Sequence, residues 1–159
     1  MKISIICVGK IKEKFYVDAV FEYVKRINKY AKISVIEVAD EKTIESPSEA
    51  EANQIKDKEG ERILSKISRD MYVYVLAIEG KQRDSVAFSK EIQNLMVSGK
   101  SHLSFIIGGS LGLSKNVYDI ANETISFSKM TFPHQMMRVI LAEQIYRAFR
   151  IINNEPYHK

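Results

Sequence analysis

Leu103-Ser104-Phe105-Ile106-Ile107-Gly108-Gly109-Ser110-Leu111-Gly112-Leu113-Ser114 is the stretch that decides the fold. Its first five residues form a short apolar run closed by glycines, which reads as a strand over Leu103–Ile107 ending in a tight turn. Ser114 stands where it can cap a short helix over Lys115–Ala121. Working outward, strand and helix signals alternate in both directions. Upstream, Ser85–Val97 reads as a helix through Phe88, Ile92, Leu95 and Met96, and Met71–Ile78 as a strand ended by Glu79-Gly80. Ser48-Glu49-Ala50-Glu51 has the pattern of a capping box. The polar helix it opens reaches about Ile67, with Ala52, Ile55, Ile63 and Ile67 as a thin apolar stripe. Lys32–Ala39 and Lys2–Val8 read as strands. Between them Lys14–Tyr30 reads as a helix, with Phe15, Ala19, Tyr23 and Ile27 at spacing four. Downstream come a short strand, Thr124–Phe127, a long helix, Pro133–Asn153, with proline in its first turn, and the tail Asn154–Lys159. This order predicts an α/β fold, a mostly parallel sheet with helices on both faces, formed by residues 1–159 as one domain.

The 159 residues, 45% hydrophobic and 28% charged, are ordinary for a globular chain that can bury one core. No apolar run approaches the ~20 residues needed to span a bilayer, and Met1–Cys7 is too short for a signal sequence. Cys7 is the single cysteine, which excludes an internal disulfide and a cysteine-built zinc site. No two histidines have metal-ligand spacing, so no metal is expected, and a reducing cytoplasm is the expected location. Net charge is +4, and residues 127–159 carry +3 of it through Lys129, Arg138, Arg147, Arg150 and Lys159 against Glu143 and Glu155. A basic C-terminal fifth is compatible with a nucleic-acid partner.

In open α/β sheets, ligands sit beyond the carboxyl ends of the strands. That directs attention to Ile78–Arg83, Gly108–Ser114 and Phe127–Phe132. The glycine loop has two readings: a backbone surface that a ligand can approach closely, or simply a tight turn after a strand. It is neither GxGxxG nor a Walker A loop. Phe127-Ser128-Lys129-Met130-Thr131-Phe132 could wall an adenine, or could tuck two rings into the core. Leu76 fits a core position as well as a cavity wall, and Arg83 fits a phosphate contact or a solvated surface cation. His134 and His102 read as structural or surface residues.

The last helix is apolar almost all round. Met137, Ile140, Leu141, Ile145, Ala148 and Ile152 form one face, which Val139, Ala142, Tyr146 and Phe149 extend. Such a helix needs cover on most sides, so a two-fold homodimer interface is expected here, with deep burial in a monomer as the alternative. Glu143 and Arg147 form an i,i+4 pair that can be mutually neutralising. Tyr157, His158 and Lys159 place a stacking ring, a proton carrier and a cation at a chain end, where fraying is also common.

Four segments together carry a resemblance. Phe105–Gly112, the loop ending Thr131-Phe132-Pro133-His134, the helix segment Arg138-Val139-Ile140-Leu141-Ala142-Glu143-Gln144-Ile145-Tyr146-Arg147-Ala148, and the ending Asn154-Glu155-Pro156-Tyr157-His158-Lys159 occur in the order and spacing of one family. The chain resembles the RlmH group of SPOUT methyltransferases over essentially its whole length. The resemblance implies a C-terminal trefoil knot, which general rules of chain connection would not propose. It implies S-adenosylmethionine as cofactor, and methylation at N3 of a pseudouridine in large-subunit ribosomal RNA within assembled ribosomes, by a homodimer. Carried over by position, Leu76, Gly108 and Phe127, Ser128, Lys129, Met130, Thr131 and Phe132 would line the cofactor site, with Gly109 beside them. Pseudouridine N3 is a poor nucleophile until it loses its proton. His158 is the first candidate to accept that proton and Glu143 the second. Arg147 and Lys159 would face phosphates or the developing anion, and Tyr157 would stack on the flipped base. Two other classes compete. A non-catalytic RNA-binding module explains the basic tail but not the glycine loop. A flavin or nicotinamide enzyme lacks its fingerprint here.

Overall fold

A computed structural model describes all residues, Met1–Lys159. Five strands, β1 (Lys2–Val8), β2 (Lys32–Val38), β3 (Met71–Gln82), β4 (His102–Ile107) and β5 (Glu123–Ser126), form one sheet in the order β2-β1-β4-β3-β5. Every pair is parallel. Helices α1 (Lys14–Ile27), α3 (Ser85–Val97) and α5 (His134–Ile152) cover one face, and α2 (Glu49–Leu64) and α4 (Lys115–Asp119) the other. The alternation of strand side chains creates two cores. Ile3, Ile5 and Cys7 of β1 point into the larger one with Tyr74, Phe105 and Leu141. Ile6 and Val8 point into the smaller one with Val75, Ile106 and Val117. Burial pushes the Cys7 thiol up to about 12, so it packs as an inert apolar group. No helix is long and apolar enough to cross a membrane.

The expected elements are present, with informative differences. Ser48 and Glu51 make the reciprocal capping box that opens α2. On α1 the buried and half-buried face is Val20, Tyr23, Val24 and Ile27, whereas Phe15 is 63% exposed. The cause is geometric: spacing four advances about 40° per step, so Phe15 has rotated off the face that Ile27 occupies. His102 is not a surface residue. It starts β4 and bridges Ser4 Oγ (2.9 Å) and Asp70 (3.1 Å). Arg83 is neither solvated nor free for phosphate, because its side chain is 4% exposed and held between Glu91 and Glu123.

The largest departure is in β3. It does not stop at Ile78 but continues to Gln82 through a bulge, so that Leu76 and Lys81 both pair with Ile125 of β5. Residues 77–80 are pushed out at the carboxyl end of the sheet.

Helix α5 lies between α1 and α3, and its Leu141, Ala142, Ile145, Ala148 and Phe149 are buried in the larger core. Burial within the protomer therefore accounts for much of the wrap-around apolarity. The chain leaves β5 at one edge of the sheet, yet the first turns of α5 reach β1 on the far side of β3 and β4. Arg138 fixes that crossing. It is 1% exposed, pairs with Glu37 (2.8 Å) and donates to the carbonyls of Val8 (3.0 Å) and Gly9 (2.8 Å). Replacing Arg138 with methionine keeps the apolar volume but leaves both carbonyls unpaired. Breaking a buried pair costs roughly 3–5 kcal/mol. Glu37 is a third exposed and can be rehydrated, so the expected loss is about 2 kcal/mol in urea unfolding. An unchanged midpoint would show that this anchor contributes nothing.

Candidate active site

A cavity of about 440 Å³ opens at the carboxyl ends of β3, β4 and β5. Its first wall is the β3 bulge, with Leu76, Ala77, Ile78 and Glu79. Gly80 makes the bulge possible, since a Cβ there would sit 2.7 Å from the Ile125 carbonyl carbon.

The second wall is the loop after β4, including Gly108, Gly109, Leu111 and Gly112. The loop doubles back on itself. Gly112 N–H donates to the Gly109 carbonyl (3.1 Å), and the two residues form an isolated antiparallel bridge. Gly112 has φ +87°, and a Cβ on Gly108 would lie 2.9 Å from Leu113 and 3.1 Å from the Gly112 backbone. The loop is the tight turn that its glycines permit, and its bare backbone also faces the cavity.

The third wall is the segment after β5. Phe127, Ser128, Met130, Thr131 and Phe132 line the cavity, whereas Lys129 is exposed and does not. Ser126 Oγ donates to the Ser128 carbonyl (3.1 Å), and Met130 N–H donates to Ser128 Oγ (2.9 Å), which holds the segment in shape. Phe127 packs against the larger core while presenting part of itself to the cavity. His134 and Met137, from the first turn of α5, complete the lining. His134 is half-buried, and burial, with Arg138 nearby, lowers its pKa. A neutral imidazole then faces the cavity near pH 7.

The remaining candidates form a second cluster at the other end of α5. Arg147 Nε donates to Glu143 (3.0 Å), Tyr157 OH donates to the same carboxylate oxygen (3.1 Å), and Arg147 lies 4.7 Å from the Tyr157 ring centre. Arg147 Nη1 approaches His158 Nδ1 at 3.3 Å. The tail is thus folded back rather than frayed. Asn154 takes a left-handed turn at φ +54°, Glu155 N–H returns to the Arg150 carbonyl (2.9 Å), and the Glu155 carboxylate pairs with Arg150 and Tyr30. Arg150 also donates to the Pro156 carbonyl (3.0 Å). Burial, reinforced by hydrogen bonding to Tyr23, pushes the Tyr157 hydroxyl up to about 12. It remains a donor through the neutral range.

The two groups of residues meet across one wall. A second cavity, about 620 Å³, includes His158, Gln144 and Ser85, and shares Ile125, Ser126, Phe127 and Phe132 with the first. Sequence reasoning missed Ala77, Tyr118, Lys56 and Met137 as lining residues, gave His134 no place at the site, and did not foresee the anchoring role of Arg138 behind it. For Arg138 a signal existed. It falls three and seven residues before Leu141 and Ile145, on the core stripe of α5, where a cation must find buried partners.

A family model described as "Predicted SPOUT methyltransferase" matches residues 1–158. A protein of Exiguobacterium sibiricum named "Ribosomal RNA large subunit methyltransferase H" is 60% identical over all of both chains. Proteins of the same name from Enterococcus faecalis and Bacillus pumilus are each 58% identical, again over all of both chains. Among solved structures, a probable methylase family protein from Haemophilus influenzae matches 99% of this chain and 70% of its own. The TM-score is 0.54 at 12% identity, a likeness of fold alone. With a family model over 158 residues and full-length relatives near 60% identity, the chain belongs to the SPOUT methyltransferase family.

Proposed function

We propose that this chain transfers a methyl group from S-adenosylmethionine to N3 of a pseudouridine in large-subunit ribosomal RNA, acting on assembled ribosomes in the cytoplasm as a homodimer. The observation that carries the reading is the shared wall. A glycine-lined cavity at the strand ends adjoins, through Phe127 and Phe132, a second cavity that holds the His158 tail. Full-length relatives named as large-subunit ribosomal RNA methyltransferases support the substrate class. The family also implies a trefoil knot, which the crossing of the chain from β5 to β1 accommodates.

The residues present suit the cofactor. The volume lies within the roughly 300–1,000 Å³ of small-molecule sites. More than half of the lining residues are hydrophobic, as an adenosine wedged between apolar walls requires. Leu76, Gly108, Gly109, Phe127, Ser128, Met130, Thr131 and Phe132 would hold it, with Lys129 in the same segment but its side chain directed to solvent. The cofactor supplies a methyl on a sulfonium whose charge is lost on transfer. Leu76, Phe127 and Phe132 keep water from the reacting region, which favours loss of charge over retention.

Glu143 is committed to Arg147 and Tyr157, so it orients the cluster and leaves His158 as the proton acceptor. Arg147 can only donate, so His158 Nδ1 accepts in that 3.3 Å contact. An entering base displaces this long contact. Nδ1 then takes the N3 proton, and Arg147, still held by Glu143, faces the resulting anion. Exposed or half-exposed apolar side chains on α1 and α5, among them Phe21, Val139 and Ile140, offer surface for the two-fold contact.

Calorimetric titration tests the reading, with NADH and FMN as controls. Saturable binding of S-adenosylmethionine alone is expected, followed by methylation of large-subunit RNA in ribosomes. No binding, with or without ribosomes, overturns it.

A further inference from the structure

Only two formally charged side chains line the first cavity, Lys56 of α2 and Glu79 of the β3 bulge. They have opposite charge. Neither takes part in any ion pair or side-chain hydrogen bond of the chain, although most other charges near the site are paired. The backbone beside each of them is closely packed. One helical turn after Lys56 comes Gly60, where α2 meets the end of the glycine loop so tightly that a Cβ would lie 2.2 Å from Ser114 Oγ. Glu79 precedes Gly80, which is pressed against the Ile125 backbone. Burial first, and then the Glu79 charge, raises the pKa of the Tyr118 hydroxyl, another lining residue.

A cavity whose only two charged lining side chains are one unpaired cation and one unpaired anion suits a ligand with a zwitterionic end. An α-amino acid group carries a carboxylate and an ammonium on one carbon. We propose that Lys56 and Glu79 are the recognition pair for the amino-acid end of the cofactor, Lys56 taking the carboxylate and Glu79 the ammonium. This rests on the methyltransferase reading and adds to it which end of the ligand faces α2 and the bulge. The adenosine is left to the apolar walls, and the pair discriminates against nucleosides that lack the amino acid.

Two neutral thioethers test this by calorimetry. S-adenosylhomocysteine carries the amino-acid end, and 5′-methylthioadenosine lacks it. The wild-type protein is expected to prefer the first. Lys56→Ala and Glu79→Gln are each expected to weaken S-adenosylhomocysteine about fivefold, the scale of a solvent-accessible ion pair. The double variant is expected to weaken it about twentyfold. Affinity for 5′-methylthioadenosine should stay within about twofold in all of them. Loss of both ligands in parallel, or of neither, overturns the assignment. Circular dichroism checks that the variants remain folded, and the charge-swapped variant Lys56→Glu with Glu79→Lys should recover part of the selectivity for S-adenosylhomocysteine. Wild-type protein that binds neither nucleoside, with or without ribosomes, overturns the methyltransferase reading and the pair with it.

Discussion

A Gly80→Ala variant is expected to lose about 3 kcal/mol or more of stability, together with its affinity for S-adenosylmethionine. The added Cβ would lie 2.7 and 2.8 Å from the carbonyl carbon and nitrogen of Ile125, and 3.0 Å from the Ala77 carbonyl oxygen. All three neighbours are backbone, so no rotamer change relieves the overlap. Overpacking costs roughly 1–3 kcal/mol where side chains can adjust, and more where they cannot. Relief requires β5 to move away from β3, or the bulge to lose one of its two pairings with Ile125. Either movement displaces Ile125 and Ser126, which lead directly into the Phe127–Phe132 wall. Stability and binding are therefore coupled at this residue. Urea unfolding and calorimetry on the same preparation read both. A variant with normal midpoint and normal affinity would mean that the bulge relaxes freely and is not what shapes the cavity.

The position of Gly80 also shows where sequence reading ends. Strand and helix positions follow from local patterns. β-branched runs such as Ile3–Val8, the Ser48–Glu51 capping box and the glycines after β4 each specify their element within a few residues. Glu79-Gly80 looks like a strand end because glycine weakens a strand locally. Its real cause is non-local, the approach of a β5 backbone forty-five residues further on. Arg83 and Arg138 were counted as available charge for the same reason. Their partners, Glu91 and Glu123 for one and Glu37, Val8 and Gly9 for the other, converge only in the folded sheet.

The candidate site divides similarly. The three loops that wall the cavity were legible, because parallel strands put their carboxyl ends on one edge. Lys56, Tyr118 and His134 were not, since they arrive from helices whose docking no periodicity encodes. The tail depended on resemblance. Nothing in Asn153–Lys159 taken alone distinguishes an end held by Arg150, Tyr30 and Glu143 from a frayed one.

His158→Ala is expected to lower kcat by about 10²–10⁴-fold, the usual worth of a positioned proton acceptor, while leaving S-adenosylmethionine affinity within about twofold. The separation follows from the geometry. His158 lines only the second cavity, and its one polar partner is Arg147. The walls of the first cavity come from β3, β4, β5 and the residues after them, with Lys56 of α2, and none of these uses the His158 ring to hold its place. Removing the ring therefore takes away a group that meets the acceptor base and leaves the cofactor walls intact. Arg147→Lys makes the complementary case. A guanidinium reaches Glu143 through two nitrogens while a third faces His158. An ammonium is a single point of charge and cannot keep both. That variant should lose less than His158→Ala in kcat, because Glu143 and Tyr157 still hold the tail, and the two losses should be non-additive when combined, since both act on one proton transfer. Single-turnover methylation of ribosomes, with cofactor binding measured separately, reads each quantity. If His158→Ala costs affinity and turnover equally, the tail belongs to the cofactor site and proton acceptance falls to another group. If the double variant shows the product of the two single losses, His158 and Arg147 act independently, and the transfer of the N3 proton to a histidine positioned beside a carboxylate-held guanidinium is wrong.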